Sequence, residues 1–186
     1  MKLAPWFERF PNEAKLVGSI LTGYGELEFW LATCVGTAMR DNNTAFRLIF
    51  RLRNESQRID AADALLYPAM KKLKLAGPYS HVIGAMRHCR TIRNQYSHCH
   101  WFQEAGKPFK LKFYNLESTA FTSEGDGPLN LVETSAALLA EQVAYFEYCL
   151  EGWRYLIVEQ DVRAGRLSVN TFDKPKARQQ PKLDSR

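Results

Sequence analysis

The chain has no Cys-x-x-Cys pair, no glycine-rich phosphate loop, no Ser, His and Asp at a spacing that would build a hydrolase triad, and no apolar run near the roughly 18 residues that cross a membrane. Each absence removes a class. Without paired cysteines a disulfide framework is excluded, and Cys34, Cys89, Cys99 and Cys149 are read as reduced thiols. Three of them fall at apolar-periodic positions, where a thiol packs like a small hydrophobe. Without an apolar span, and with a start (Met1 to Glu8) that lacks the apolar stretch of a secretion signal, the expectation is a soluble, cytoplasmic protein with no membrane partner. His88, Cys89, His98, Cys99 and His100 lie close together, but adjacent helical residues point apart and no paired ligand motif is present. No metal and no cofactor are therefore expected.

What is present fits one compact domain. A length of 186 residues with 46% hydrophobic content provides a sizeable core. The net charge of +5 is unevenly placed: Arg163 to Arg186 holds seven Lys or Arg against two Asp, and the remainder balances 18 bases against 18 acids. Within that neutral body, Lys71 to Lys112 carries nine bases and one acid, whereas Phe113 to Val162 carries one base and nine acids. Packing an acidic helix beside a basic one would produce this polarity without a ligand, and a phosphate backbone would use the same positive segment.

Along the chain, Asn12 is placed to cap a long helix whose apolar positions Val17, Ile20, Tyr24, Leu27, Leu31, Cys34 and Ala38 recur at three- and four-residue steps. Gly18, Gly23, Gly25 and Gly36 weaken its propensity and would let a neighbour approach closely. Asp41 to Thr44 reads as a stop and a new cap. A short helix follows from Ala45, then one from Ser56 or Asp60 toward Leu73 that Pro68 bends or divides. Ala76-Gly77-Pro78 breaks the chain before a helix from about Tyr79 to Ser97. Helical period then disappears over about 101–131, where Phe109 to Tyr114 alternates as a short strand and Thr122 to Pro128 reads as an exposed linker. Thr134 or Ser135 caps a last long helix lined by Leu139, Val143, Phe146, Leu150, Trp153 and Ile157. The expectation is an all-α bundle of about four to five helices with a short hairpin or irregular insertion, spanning 1–162, followed by a basic tail over 163–186 too poor in apolar residues to order itself.

All four histidines, His81, His88, His98 and His100, fall in one segment with Arg87, Arg90 and Arg93. At its centre stands Arg93-Asn94-Gln95-Tyr96-Ser97-His98. From the 14 arginines and 4 histidines, about 0.3 matches to this Arg-to-His spacing are expected by chance, so context must carry the assignment. Val82, Met86, Cys89, Ile92 or Arg93, and Tyr96 form one stripe, and Arg87, Arg90, Asn94, Ser97 and His98 recur on another face, with Arg93 flanking.

The order of helices, with an Arg, an adjacent polar residue and a His a few positions on, resembles the HEPN superfamily over most of Asn12 to Val162. The resemblance implies catalytic roles for Arg93 and His98 and a supporting role for Asn94. It implies a metal-independent endoribonuclease that dimerises so that two motifs face one cleft, or a non-catalytic relative serving as a toxin, antitoxin or other binding partner. The chemistry is consistent with these residue types. RNA cleavage without metal needs a base for the ribose 2′-hydroxyl, an acid for the leaving 5′-oxygen and a fixed cation for the growing charge. His98 suits either proton transfer, and the planar guanidinium of Arg93 suits a phosphate. Arg87, Arg90 and His100 are weaker candidates for substrate contact, and Trp101-Phe102 for stacking an unpaired base. The competing reading makes Arg93 and His98 cationic caps of a helix C-terminus, and Trp101-Phe102 core.

Overall fold

In the computed structural model, residues 5–103, 111–116 and 131–184 are described. The fold is mostly helical, with a small antiparallel sheet before the last helix. A 3-10 turn at Pro5–Glu8 precedes α1 (Pro11–Met39), α2 (Asn42–Arg51), α3 (Glu55–Lys72) and α4 (Ala76–Ser97). Three strands, β1 (Cys99–Gln103), β2 (Leu111–Asn115) and β3 (Val132–Thr134), lead to α5 (Ala136–Arg163). No helix among the described residues is long and apolar enough to cross a membrane.

Helix ends follow local chemistry. Pro11 opens α1, where its missing N–H is no loss, so the helix starts one residue before the expected Asn12 cap. Arg40 takes a left-handed φ of 59° and Asp41 N–H bonds the Gly36 carbonyl at 3.0 Å, closing α1. Asp41 then caps α2 by accepting from Thr44 N–H at 3.0 Å. Gly36 is required here: a Cβ on it would lie 2.7 Å from the Asn42 Cα, whereas Gly18 and Gly25 have open space. Asn54 caps α3 through Ser56 and Gln57. That helix runs on through Pro68 undivided. The break before α4 falls at Lys74, whose φ is 59°, and Gly77-Pro78 belong to the first turn of α4, where a proline removes no helical bond. Ser135 caps α5 by accepting from Leu138 N–H at 3.2 Å.

Two compact units emerge, each built from separated stretches of chain. The first comprises Met1–Thr22, Thr91–Ala144 and Pro181–Arg186; the second comprises Gly23–Arg90 and Tyr145–Gln180. In the second, the expected stripe of α1 is buried from Tyr24 through Cys34. The α4 stripe is buried at Val82, Met86 and Cys89, and the α5 face centres on Phe146, Cys149, Trp153 and Leu156. Of the expected α5 stripe, Val143 in the first unit and Leu150 and Ile157 in the second are only half-buried, whereas Gln142 in the first and Gln160 in the second are buried. Gln160 is admitted by a hydrogen bond to the Cys34 sulfur at 3.1 Å.

In the first unit the strands lie in the order β1-β2-β3. The register pairs Trp101 with Phe113 and His100 with Tyr114. One face is apolar: Leu111, Phe113 and Val132 are buried, and Trp101 packs against Phe7, Tyr96 and Phe113 with centroids 5.5, 5.9 and 4.7 Å apart. The hairpin expectation thus captured β2 and missed β1 and β3. The turn-prone Ala105 to Pro108 and the expected linker at Thr122 to Pro128 lie outside the described residues.

Among the described residues after α5 there is no helix or strand. Composition had pointed to a tail that does not order itself, but the described part makes specific bonds. In the second unit Asn170 donates to the Tyr155 carbonyl and to Glu159 at 3.1 and 3.0 Å. In the first, Asp184 is only 5% exposed.

Candidate functional site

The sequence Arg93 to His98 spans the last turn of α4 and the single turn residue before β1. Ile92 and Tyr96 point inward and are buried, so the 3.6-residue period turns Arg93, Asn94 and His98 away from the core. Arg93 is half-buried, and Asn94 and His98 are exposed. The Arg93 guanidinium donates from Nη1 to Asn94 Oδ1 at 3.1 Å. Asn94 thus holds the arginine on its own helical turn.

The end of α4 leaves carbonyls that need donors. Two are met by an amide from β2: Asn115 Nδ2 donates to the Asn94 carbonyl at 2.9 Å and the Gln95 carbonyl at 3.2 Å. Ser97 Oγ donates to the Asn94 carbonyl at 3.3 Å, and the Cys99 thiol to that of Gln95. The capping work that the competing reading assigned to Arg93 and His98 is therefore carried, for these two carbonyls, by Asn115, Ser97 and Cys99. His98 is tied by its main chain, its carbonyl accepting from Leu116 N–H at 2.8 Å. The sheet thereby fixes the position of the histidine relative to the helix end.

On the inner side of the same turn, the Tyr96 hydroxyl lies 2.7 Å from Gln142 Oε1 and also bonds Asp184 Oδ2. Gln142 Nε2 donates to the Lys182 carbonyl at 3.1 Å and Gln95 Nε2 to the Asp184 carbonyl at 3.5 Å. The segment around Asp184 is thus docked on the two motif residues that face inward. Burial raises the Asp184 carboxyl above its usual range, with hydrogen bonding from Tyr96 acting the other way. Burial, and then the Asp184 charge, raise the Tyr96 phenol, which stays a donor at neutral pH. The same two causes push the Cys99 thiol up to about 12, which keeps it protonated and unsuited to nucleophilic work.

The weaker candidates separate. His100 is exposed on β1 with its ring 5.2 Å from that of Tyr114. Arg87, in the second unit, is engaged by Asp63 at 2.8 Å and Asp60 at 3.3 Å, while Asp63 also accepts from the Tyr79 hydroxyl at 2.8 Å. Its guanidinium has a structural occupation. Arg90, also of the second unit, is half-buried with its Nε enclosed. Trp101 and Phe102 part company: Trp101 joins the packed face, and Phe102 lies on the other with its ring 5.8 Å from Tyr114. Among the described residues no three His, Cys, Asp or Glu side chains gather as a metal site.

Asn115, Tyr114, Gln142 and Asp184 were not singled out from sequence. Asp184 carried a usable signal, being one of only two acids in a basic tail. Asn115 directly follows the alternating segment, and nothing local marks its distant carbonyl partners. No protein-family model, no curated protein and no solved structure matches the chain.

Proposed function

We propose that this chain is a HEPN-like endoribonuclease that cleaves RNA without a metal ion, using Arg93 and His98 and working as a homodimer. The observation that carries the reading is the Arg93–Asn94 hydrogen bond beside an exposed His98 whose backbone is pinned to the sheet. A guanidinium held by a neighbour loses little freedom on meeting a phosphate, and an imidazole in contact with solvent is able to exchange protons.

In the reaction a base takes the proton of the ribose 2′-hydroxyl as the 2′-oxygen attacks phosphorus. The 2′-O–P bond forms, the P–5′-O bond breaks, and an acid returns a proton to the departing 5′-oxygen. The products are a 2′,3′-cyclic phosphate and a 5′-hydroxyl. Arg93 balances the charge that builds on the non-bridging oxygens. One motif histidine per chain supplies one of the two proton transfers, so His98 of a second copy supplies the other across a shared cleft.

The test is incubation of wild type, Arg93→Ala and His98→Ala with mixed RNA in EDTA, with circular dichroism to verify the fold. Chelator-resistant cleavage lost in both folded variants supports the enzyme. RNA binding with equal background cleavage in all three replaces it with the non-catalytic HEPN-like module.

A further inference from the structure

We propose that Gln95, Tyr96 and Gln142 form a peptide-recognition socket, and that the chain's own segment Pro181 to Asp184 is its releasable ligand. The regulatory consequence rests on the RNA-cleaving reading of Arg93 and His98: the socket lies on the inner side of the turn that presents them, so its occupancy steadies them.

All of these groups belong to the first unit. Gln142 on α5 and Tyr96 on α4 are 0% and 2% exposed, and an amide and a phenol enclosed in an apolar interior need partners. They bond each other at 2.7 Å, and each also reaches the segment: Gln142 Nε2 donates to the Lys182 carbonyl at 3.1 Å, and the Tyr96 hydroxyl bonds Asp184 Oδ2. Gln95 Nε2 donates to the Asp184 carbonyl at 3.5 Å. Side chains of two helices therefore read two main-chain carbonyls, two residues apart, and the acid carried by the second. Lys182 and Leu183 are exposed, and Asp184 is buried. The socket thus selects a backbone and one acid, and leaves the two preceding side chains unread.

What holds the segment is polar. Leu183, its one large apolar residue, is 37% exposed, so detachment uncovers little apolar surface. Asp184 is enclosed at a cost: among the described residues its Oδ1 has no hydrogen-bond partner, and burial raises its carboxyl pKa. From Ala164 to Asp184 no helix or strand ties the chain down. Such a segment opens at a lower free energy than the helices that receive it.

The test uses the full chain carrying Asp184→Ala, which removes the anchor and leaves the socket open. The probe is a labelled peptide Pro-Lys-Leu-Asp-Ser-Arg, the sequence of 181–186, read by fluorescence anisotropy. It is expected to bind the variant about tenfold or more tighter than the wild type, in which the tethered segment competes at high effective concentration. A peptide with Leu183→Ala is expected to bind equally well, and one with Asp184→Ala about tenfold or more weaker. No binding to either chain, equal binding to both, or affinity that follows Leu183 in place of Asp184 would overturn the socket.

The wild type supplies a measurement that needs no variant. Trypsin cuts after Lys182 only when that carbonyl has left Gln142, so brief native digestion is expected to cut there with the helical circular dichroism unchanged. A Lys182 protected until the whole chain unfolds would make the segment fixed structure and overturn its release. RNA cleavage is scored separately. Saturating peptide is expected to raise the rate of the Asp184→Ala chain about tenfold, and an unchanged or lower rate overturns the coupling. Peptide binding by a chain that cuts no RNA removes the nuclease and leaves the socket, and cleavage without peptide binding does the reverse.

Discussion

Tyr96 and Asp184, 88 residues apart in the chain, are joined by a hydrogen bond in the interior of the first unit. The phenol has one proton and two acceptors within reach, Gln142 Oε1 and Asp184 Oδ2. The hydroxyl proton serves one acceptor at a time, and Asp184 Oδ1 has no hydrogen-bond partner among the described residues, so an ionised Asp184 is incompletely satisfied and a neutral carboxyl is less costly there. Burial favours that same neutral carboxyl, since it raises the Asp184 pKa above the ordinary 3.8.

The sign of the pH dependence follows. A carboxyl whose folded pKa is raised contributes stability that is complete below its unfolded pKa, near 4, and is lost as pH rises through the folded value. Asp184→Asn supplies a permanent donor in place of the protonated acid. Denaturant titrations at pH 4.5 and 8 should show the variant gaining on wild type at the higher pH, and a wild type that gains relative to the variant as pH rises would contradict the assignment.

Tyr96→Phe removes the hydroxyl and leaves Gln142 and Asp184 buried around an apolar ring edge. A lost buried hydrogen bond to a polar or charged group costs about 1–3 kcal/mol. Calorimetry should record a Tm lower by several degrees, and an unchanged Tm would show that the contact carries no stability.

Arg87→Ala separates structure from substrate contact. Its partners Asp60 and Asp63 are 63% and 27% exposed and Arg87 itself 42%, so screening holds the loss to about 1 kcal/mol or less. Stability should fall slightly and RNA cleavage should keep its wild-type rate; a large selective loss of cleavage would restore Arg87 to the substrate path.

Arg93→Lys keeps the charge and loses the planar fork that Asn94 holds. Initial rates on RNA should fall about 100-fold, the scale of one lost oxyanion donor, with the fold intact. A lysine variant at wild-type rate would reduce Arg93 to a point charge.

Much of the helical frame was legible in the chain because helices are specified locally. The α1 stripe from Val17 to Cys34, and the Asp41 cap, depend on residues within a turn or two. Gly77-Pro78 misled because a proline's cost depends on position, and Pro78 sits in a first turn, where no bond is lost; Pro68 does not divide its helix. What stayed hidden was non-local. β1 and β3 exist through their pairing with β2, Asn115 finds its carbonyls 20 and 21 residues upstream, and nothing near Asp184 announces Tyr96. Arg93, Asn94 and His98 could be named from sequence, but the amide from β2 that closes the helix beneath them could not.

The most direct measurement is the chemistry of the RNA ends left by the purified chain in EDTA, beside the same preparation carrying His98→Ala. The account predicts 2′,3′-cyclic phosphate and 5′-hydroxyl termini from the wild type, with a rate about 10²- to 10⁴-fold lower in the folded variant. Uncut RNA in both, or termini bearing a 3′-hydroxyl and a 5′-phosphate, would contradict it.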